Sequence, residues 1–337
     1  MKKVLINFLL LAAVLFVPVA AVAGLVIGIT VKQEHAALAV VPLGGMIINQ
    51  ASLAAIYNSF NTLFNQAFSN VTPLWNRVAM RVPSVGRQNT YAWLGHFPRL
   101  REWIGDRVIK SLAAHSYTIV NKPFESTVEV DRDDVDDDMI GLYNPIVSEM
   151  GRATAVHPDE LIFELLAAGF NTPCYDGQYF FDTDHPVGSG TVSNFGGGAG
   201  SAWYLLDVSR AIKPLIYQPR KPPQFVSFQD PKDESVFMRK KFIYGVDLRG
   251  NAGFGLWQMA YASKDTLNAT NYAAARVAMM SLKDEEGKPL GIKPGLLVVH
   301  PGNEEAAREI LMNERDASGA TNKWRGTAEL LMVPWLT

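Results

Sequence analysis

Apolar side chains between Met46 and Phe68 fall on one face of a helix. Leu53, Ile56, Tyr57, Phe60, Leu63, Phe64 and Phe68 recur at intervals of three and four, the spacing of an amphipathic helix. The opposite face is Asn, Gln and Ser rather than charged, so this helix is expected to lie against protein, either in the core or as an arm gripping a neighbour. Residues 76–98 and 113–131 then read as extended, and "STVEVDR" alternates as a half-buried strand does. Between these arms lies "YAWLGHFPRLREWIGDR", Tyr91 to Arg107, which fits neither period. Two strand arms around a long aromatic tip predict an extended hairpin projecting from a body; an ordinary meander with a large loop is the alternative.

The acidic run Asp131–Asp138 leads into Met139, Ile140, Tyr143, Ile146, Val147 and Met150 at helical spacing, and acidic residues favour a helix N-terminus. A second start signal, His157-Pro158-Asp159-Glu160, precedes another apolar stretch, and Gly169 reads as a C-terminal cap. The segment predicts about thirty helical positions, roughly 45 Å at 1.5 Å per residue, with a break near Ala155–Pro158. Residues 171–235 read as loop-rich, with a short helix in "LDVSRAIKPLIY" and a Pro-rich stretch after it. From 236 strands and turns return in "VFMRKKFIYGVDLRGNAGFGLWQMAYA". A helix follows in "NATNYAAARVAMMSL", a buried strand in "KPGLLVVHP", a charged helix in "NEEAAREILMN" and a last strand in "GTAELLMVPWL". The chain is α+β, without a repeating βα unit.

Residues 1–45 differ from the rest. Two lysines precede an uncharged run long enough to span a bilayer, and Ala21-Val22-Ala23 has the form of a signal-peptidase site. An exported or membrane-anchored protein is therefore one reading of residues 1–31. An upstream start outside the folded protein is another, since Met46 opens a different pattern. The remaining length and the 48% hydrophobic content suffice for a substantial core. A net charge of −2 supplies no global basic field for phosphate backbones. The single cysteine, Cys174, excludes an intramolecular disulfide and a thiol cluster for zinc.

Candidate chemistry is sparse. Asp182, Asp184 and His185 in "FFDTDHPVG" stand close enough to suggest a divalent metal and a metal-dependent hydrolase, but no second histidine follows at helical spacing, and a turn is the simpler reading. The aspartates of "DRDDVDDD" lack the central Gly and terminal Glu of a calcium loop. "FGGGAGSAW" lacks the ending of a phosphate-binding loop. Cys174 has no local His partner; His185 is eleven residues on, and only folding joins them. In the hairpin tip, aromatics interleaved with arginines could stack on bases, yet Glu102 and Asp106 offset Arg99, Arg101 and Arg107. Trp, Tyr and Arg also dominate protein–protein hot spots, and the guanidinium fork matches carboxylates. Protein–protein contact is the favoured reading.

"NTYAWLGHFPRLREWIGDR", "SYTIVNKPFESTVEVDRDDVDDD", "EMGRATAVHPDELIFELLAAGF", "PCYDGQYFFDTDHPV" and "WQMAYA", in this order, resemble the Mu-like phage major head subunit, the gpT family of major capsid proteins. The resemblance runs from about Met46 to the end, and residues 1–45 have no counterpart in it. It implies the Hong Kong 97-type fold, with an N-terminal arm at 46–75 and an E-loop hairpin at 76–130. It further implies a P-domain spine helix within 131–170, an A-domain at about 171–300 and a return to the P-domain at 301–337. The implied function is structural, with no catalytic residue, cofactor or metal: hexamers and pentamers closing into an icosahedral phage head around double-stranded DNA. The virion, assembled in the host cytoplasm, is the expected location, with non-specific DNA contact and portal, scaffold or decoration proteins as further partners. Within that frame Tyr91, Trp93, Phe97, Arg99, Arg101, Glu102, Trp103, Asp106 and Arg107 are the expected intersubunit contacts of the E-loop tip. Ile56, Phe60 and Phe64 are the expected packing residues of the arm.

Overall fold

A computed structural model describes residues 46–95, 116–316 and 318–336. The first helix, α1 (Gln50–Ser69), starts at a reciprocal capping box. The Asn49 side chain accepts from the Ala51 and Ser52 N–H groups, and the Ser52 hydroxyl accepts from Asn49 N–H. Its predicted apolar stripe is buried at Leu53, Ile56, Phe60 and Phe64. After the single turn α2 (Trp75–Val78) come β1 (Ala79–Arg81), β2 (Gln88–Tyr91), β3 (Tyr117–Val120) and β4 (Lys122–Asp131). Only β2 and β3 pair as a hairpin, antiparallel from Gln88↔Val120 to Tyr91↔Tyr117. The alternating strand β4 belongs to a different sheet.

The helical region departs from the expected span. The acidic run forms the single turn α3 (Arg132–Asp136), which ends where Asp138 takes the left-handed conformation at φ 57°, a place Asp tolerates better than most residues. A 3₁₀ turn follows at Ile140–Tyr143, and the long helix α4 (Asn144–Ala167) starts only there, with Pro145 in its first turn. No break occurs near Ala155–Pro158. Pro158 lies inside α4, where the ring costs a hydrogen bond, but packing on either side holds the helix: Val147, Met150 and Gly151 before it, Ile162, Phe163 and Leu166 after it. Gly169 is not a left-handed cap. A Cβ there would lie 2.8 Å from the Phe181 ring, so the glycine serves a close approach.

Beyond α4 lie β5 (His185–Val187), β6 (Gly190–Val192), β7 (Phe195–Gly198) and β8 (Trp203–Leu206). The expected helix in "LDVSRAIKPLIY" is absent. Asp207 instead accepts from Ser209 N–H at 3.0 Å and from Lys293 N–H at 2.9 Å, a turn that draws the chain from β8 into the fourteen-residue strand β9 (Leu215–Phe228). This strand contains Pro219, Pro222 and Pro223. It accommodates them because β1 covers only Leu215–Tyr217; beyond that point one flank of β9 is an edge, and the register to its partner shifts near Asp247–Gly250. The predicted strand at "VFMR" is the helix α5 (Glu234–Arg239), closed by Lys240 at φ 54°. β10 (Lys241–Phe254), β11 (Ala260–Lys264), α6 (Ala269–Met280), β12 (Leu296–Val299), α7 (Glu304–Leu311) and β13 (Glu329–Met332) complete the described chain. The last five lie where the sequence places them.

Two main sheets result. One has the order β1-β9-β10-β4, the other β13-β12-β8-β11-β7. The second is the larger core, with β8 and β12 buried along their whole length. The first sheet packs beneath α1 and α4 in a separate cluster that includes Phe60, Phe64, Met150, Phe225 and Tyr244. There the Phe60 and Tyr244 rings meet edge to face at 5.0 Å. A Cβ on Gly151 would approach Phe64 O to 2.4 Å, so the two helices touch backbone to backbone at that point.

Candidate functional site

The described root of the hairpin is bolted to the four-stranded sheet by a buried amide. Tyr91 Oη donates to Gln218 Oε1 at 2.6 Å, while Gln218 Nε2 donates to Ile119 O at 3.1 Å and Asn121 Oδ1 at 2.8 Å. Asn121 Nδ2 in turn donates to Ser84 Oγ at 2.8 Å and Gly86 O at 2.9 Å. One side chain of β9 thus ties both limbs of the hairpin, and every polar atom of the Gln218 amide has a partner, as burial demands. Burial pushes the Tyr91 phenol above its ordinary value. Beside this network Gly253 lets Ile119 reach the sheet; a Cβ there would stand 2.1 Å from Ile119 Cδ1. Tyr117 Oη accepts from Phe254 N–H at 3.1 Å.

The expected contact residues divide at this root. Tyr91 is 2% exposed and its hydroxyl is engaged within the chain, so it anchors the hairpin. Trp93 is half-buried and meets the Tyr91 ring edge-on at 5.9 Å. Phe97, Arg99, Arg101, Glu102, Trp103, Asp106 and Arg107 lie outside the described residues. Ile56, Phe60 and Phe64 of α1 face the chain's own second core.

A different apolar surface was not legible in the sequence. Phe228 is 59%, Phe237 78% and Met238 70% exposed, all at the end of the β9–β10 pair where α5 sits. In "VFMRKKFIYG" Phe237 and Met238 look like any strand residues. The helix α5, which buries Val236, turns both outward, and Phe228 stands exposed at the end of β9.

The hydrolase reading of Asp182, Asp184 and His185 is overturned. Asp182 accepts from Tyr179 N–H at 3.2 Å and Thr183 N–H at 2.7 Å, which is the work of a turn, and Asp184 is exposed. His185 is fully buried, stacks on Trp257 with ring centroids 4.0 Å apart, and turns Nδ1 to Asp176 Oδ2 at 2.7 Å. Folding brings Cys174 to the same carboxylate, its Sγ 3.1 Å from Asp176 Oδ1. Burial, with the Asp176 charge beside it, raises the Cys174 pKa far above the ordinary thiol range, the reverse of an activated nucleophile. Burial also works against the Asp176 charge, but hydrogen bonds from His185 and Cys174 prevail and hold its pKa below the usual value. Among the described residues no helix is long and apolar enough to cross a membrane.

Known proteins place this architecture. Residues 53–336 match the family described as Mu-like prophage major head subunit gpT. The chain is 44% identical over 305 residues to the major capsid protein of Escherichia phage Mu, covering 86% of this chain and 100% of that protein. It is 45% identical over 272 residues to the Mu-like prophage FluMu major head subunit of Haemophilus influenzae, covering 77% and 88%. Among solved structures it resembles the procapsid chain of bacteriophage JBD30, with a TM-score of 0.77 and 48% identity over 86% of this chain and 100% of that one. It also resembles the JBD30 capsid chain, with a TM-score of 0.70 and 36% identity over 87% and 100%. The order of elements is thus that of a Hong Kong 97-type phage-head subunit, and the chain belongs to the Mu-like prophage major head subunit gpT family.

Proposed function

We infer that the chain is the major capsid subunit of a Mu-like phage head, a structural protein whose copies assemble into hexamers and pentamers of a closed icosahedral shell around double-stranded DNA. The likeness to the procapsid chain along that chain's whole length carries this reading. Two features of the surface support it. A hairpin root fixed by Gln218 makes a rigid base from which a long tip can lie across a neighbour. Phe228, Phe237 and Met238 leave apolar area in water that a monomer has no reason to expose, and repeated contacts around a closed shell would cover it. The near-neutral net charge suits a wall that confines DNA without gripping it. Electron microscopy of the expressed protein, with and without residues 1–45, tests the reading. Shells, or five- and sixfold capsomers, are expected; a stable monomer at high concentration would refute it.

A further inference from the structure

Two apolar surfaces of the subunit stay in water, and they differ in shape. The first is a knob: Phe237 and Met238 stand out from the short helix α5, of which only Val236 is buried. The second is a groove of about 460 Å³ between β4 and the first half of α4, lined by Val128, Pro145, Ile146, Glu149, Met150 and Ala153. β4 ends its sheet, so one flank of the strand is an edge open to a partner. Ile146 is 51% exposed, and Leu142 and Met139, four and then three positions before it, carry the exposed apolar stripe onward.

Charge separates the two surfaces as well. Arg239 and Lys240 follow the knob directly. Their partners within the chain are loose: Arg239 stands 3.8 Å from Glu234 and Lys240 3.5 Å from Asp133, all four side chains being mostly exposed. Such pairs are worth little and are easily exchanged. The stripe beside the groove opens instead with Asp137 and Asp138, which are exposed and enter no ion pair among the described residues. Glu149 adds a carboxylate inside the groove, one that Arg152 already holds. A basic knob and an acid-bordered groove attract, whereas two knobs would bring like charges together. The groove has room for one phenyl ring, since pockets that hold whole small molecules start at about 300 Å³.

We propose that α5 of one copy seats Phe237 in the β4–α4 groove of the next, with Met238 on the Leu142 stripe and Arg239 and Lys240 turned toward Asp137 and Asp138. The contact rests on the capsid reading, which supplies the copies, and assigns what covers each surface. Knob and groove belong to different elements, so each subunit gives its α5 to one neighbour and receives the α5 of another. A contact of this heterologous kind runs head to tail and closes into a ring where the rotation between copies allows.

The test uses the full chain carrying Phe237→Cys and Ile146→Cys together, assembled and then mildly oxidised, with covalent species read on a denaturing gel. Cys174 is buried, so the wild type serves as the blank. A ladder of cross-linked chains is expected from the double variant and none from the wild type or either single variant. Dimers formed by Phe237→Cys alone would overturn the proposal, because they would set knob against knob. Double-variant shells without a ladder would overturn it too, while leaving the capsid reading intact. A wild type that forms neither shells nor capsomers removes that reading and the contact with it. Should the cysteines weaken assembly, Phe237→Asp and Ile146→Asp decide. Each is expected to raise the critical concentration at least about tenfold with the unfolding of unassembled subunits unchanged, and shells of either at wild-type concentrations would refute the contact.

Discussion

Tyr91 and Gln218, 127 positions apart in the chain, share a buried 2.6 Å hydrogen bond at the base of the hairpin. Gln218 also holds Ile119 and Asn121 of the returning limb, so the pair couples both limbs to β9. Tyr91→Phe leaves one buried acceptor unmatched and is expected to cost about 1–2 kcal/mol. Gln218→Leu strands several groups and should cost more, about 3–5 kcal/mol. Hydrogen exchange will locate the damage: amides of β2 and β3 should lose protection while β8 and β12 keep theirs.

Gly151→Ala offers a test in which two effects oppose. Helix propensity alone favours alanine by about 1 kcal/mol. The new methyl, however, would stand 2.4 Å from Phe64 O and 3.1 Å from Ala67 Cβ, and backbone cannot step aside as a flexible side chain does. Crowding should prevail, with a net loss of about 1–3 kcal/mol in denaturant titration. Gly141→Ala, where nothing lies within 4 Å of the added carbon, should change stability by less than about 0.5 kcal/mol.

How far these features were readable follows from the range of the forces behind them. The apolar period of α1, the stretch "NATNYAAARVAMMSL" and the run Leu296–Val299 are local signals, and each led to the right element. β9 was not readable as a strand, because what admits Pro219, Pro222 and Pro223 is the end of β1, a fact of sheet order. Likewise α4 runs through Pro158 on the strength of packing that no local window contains. The meeting of Cys174 with His185 needs the turn at Gly177 and the Trp257 stack together. The hairpin root shows the same limit. Tyr91 was grouped with the tip by sequence neighbourhood, whereas its partner Gln218 lies in a segment that looked like loop.

Acid should weaken the seam between α4 and β4 through His157. Its ring packs edge-on against Phe124 at 4.2 Å, and its Nε2 is buried without a partner among the described residues. Burial lowers its pKa below 6.5, although Glu160 pulls the other way. A lowered histidine pKa in the folded state means that the unfolded chain takes the proton first. Stability is therefore retained above about pH 6.5 and lost as pH falls from there toward the folded-state pKa. Urea midpoints measured from about pH 7.5 to about pH 5.5 should fall for the wild type. His157→Gln should flatten part of that decline; an unchanged slope would show that other groups carry it.

The tip itself decides whether the shell reading extends to residue level. Trp103→Ala and Arg101→Ala alter side chains expected to meet a neighbouring subunit, and hot-spot truncations of this kind cost about 2 kcal/mol or more per contact. Since closure repeats each contact, either variant should raise the critical concentration for assembly steeply while leaving the thermal unfolding of unassembled subunits within about 0.5 kcal/mol of wild type. Phe237→Ser makes a parallel case at the far end of β10: with the side chain 78% exposed, its loss should spare the monomer and appear only in assembly. Light scattering of the assembling protein reads all three. The separation of effects is the discriminating result. A loss of subunit stability would place the residue in the chain's own core, and unchanged assembly would remove it from the interface.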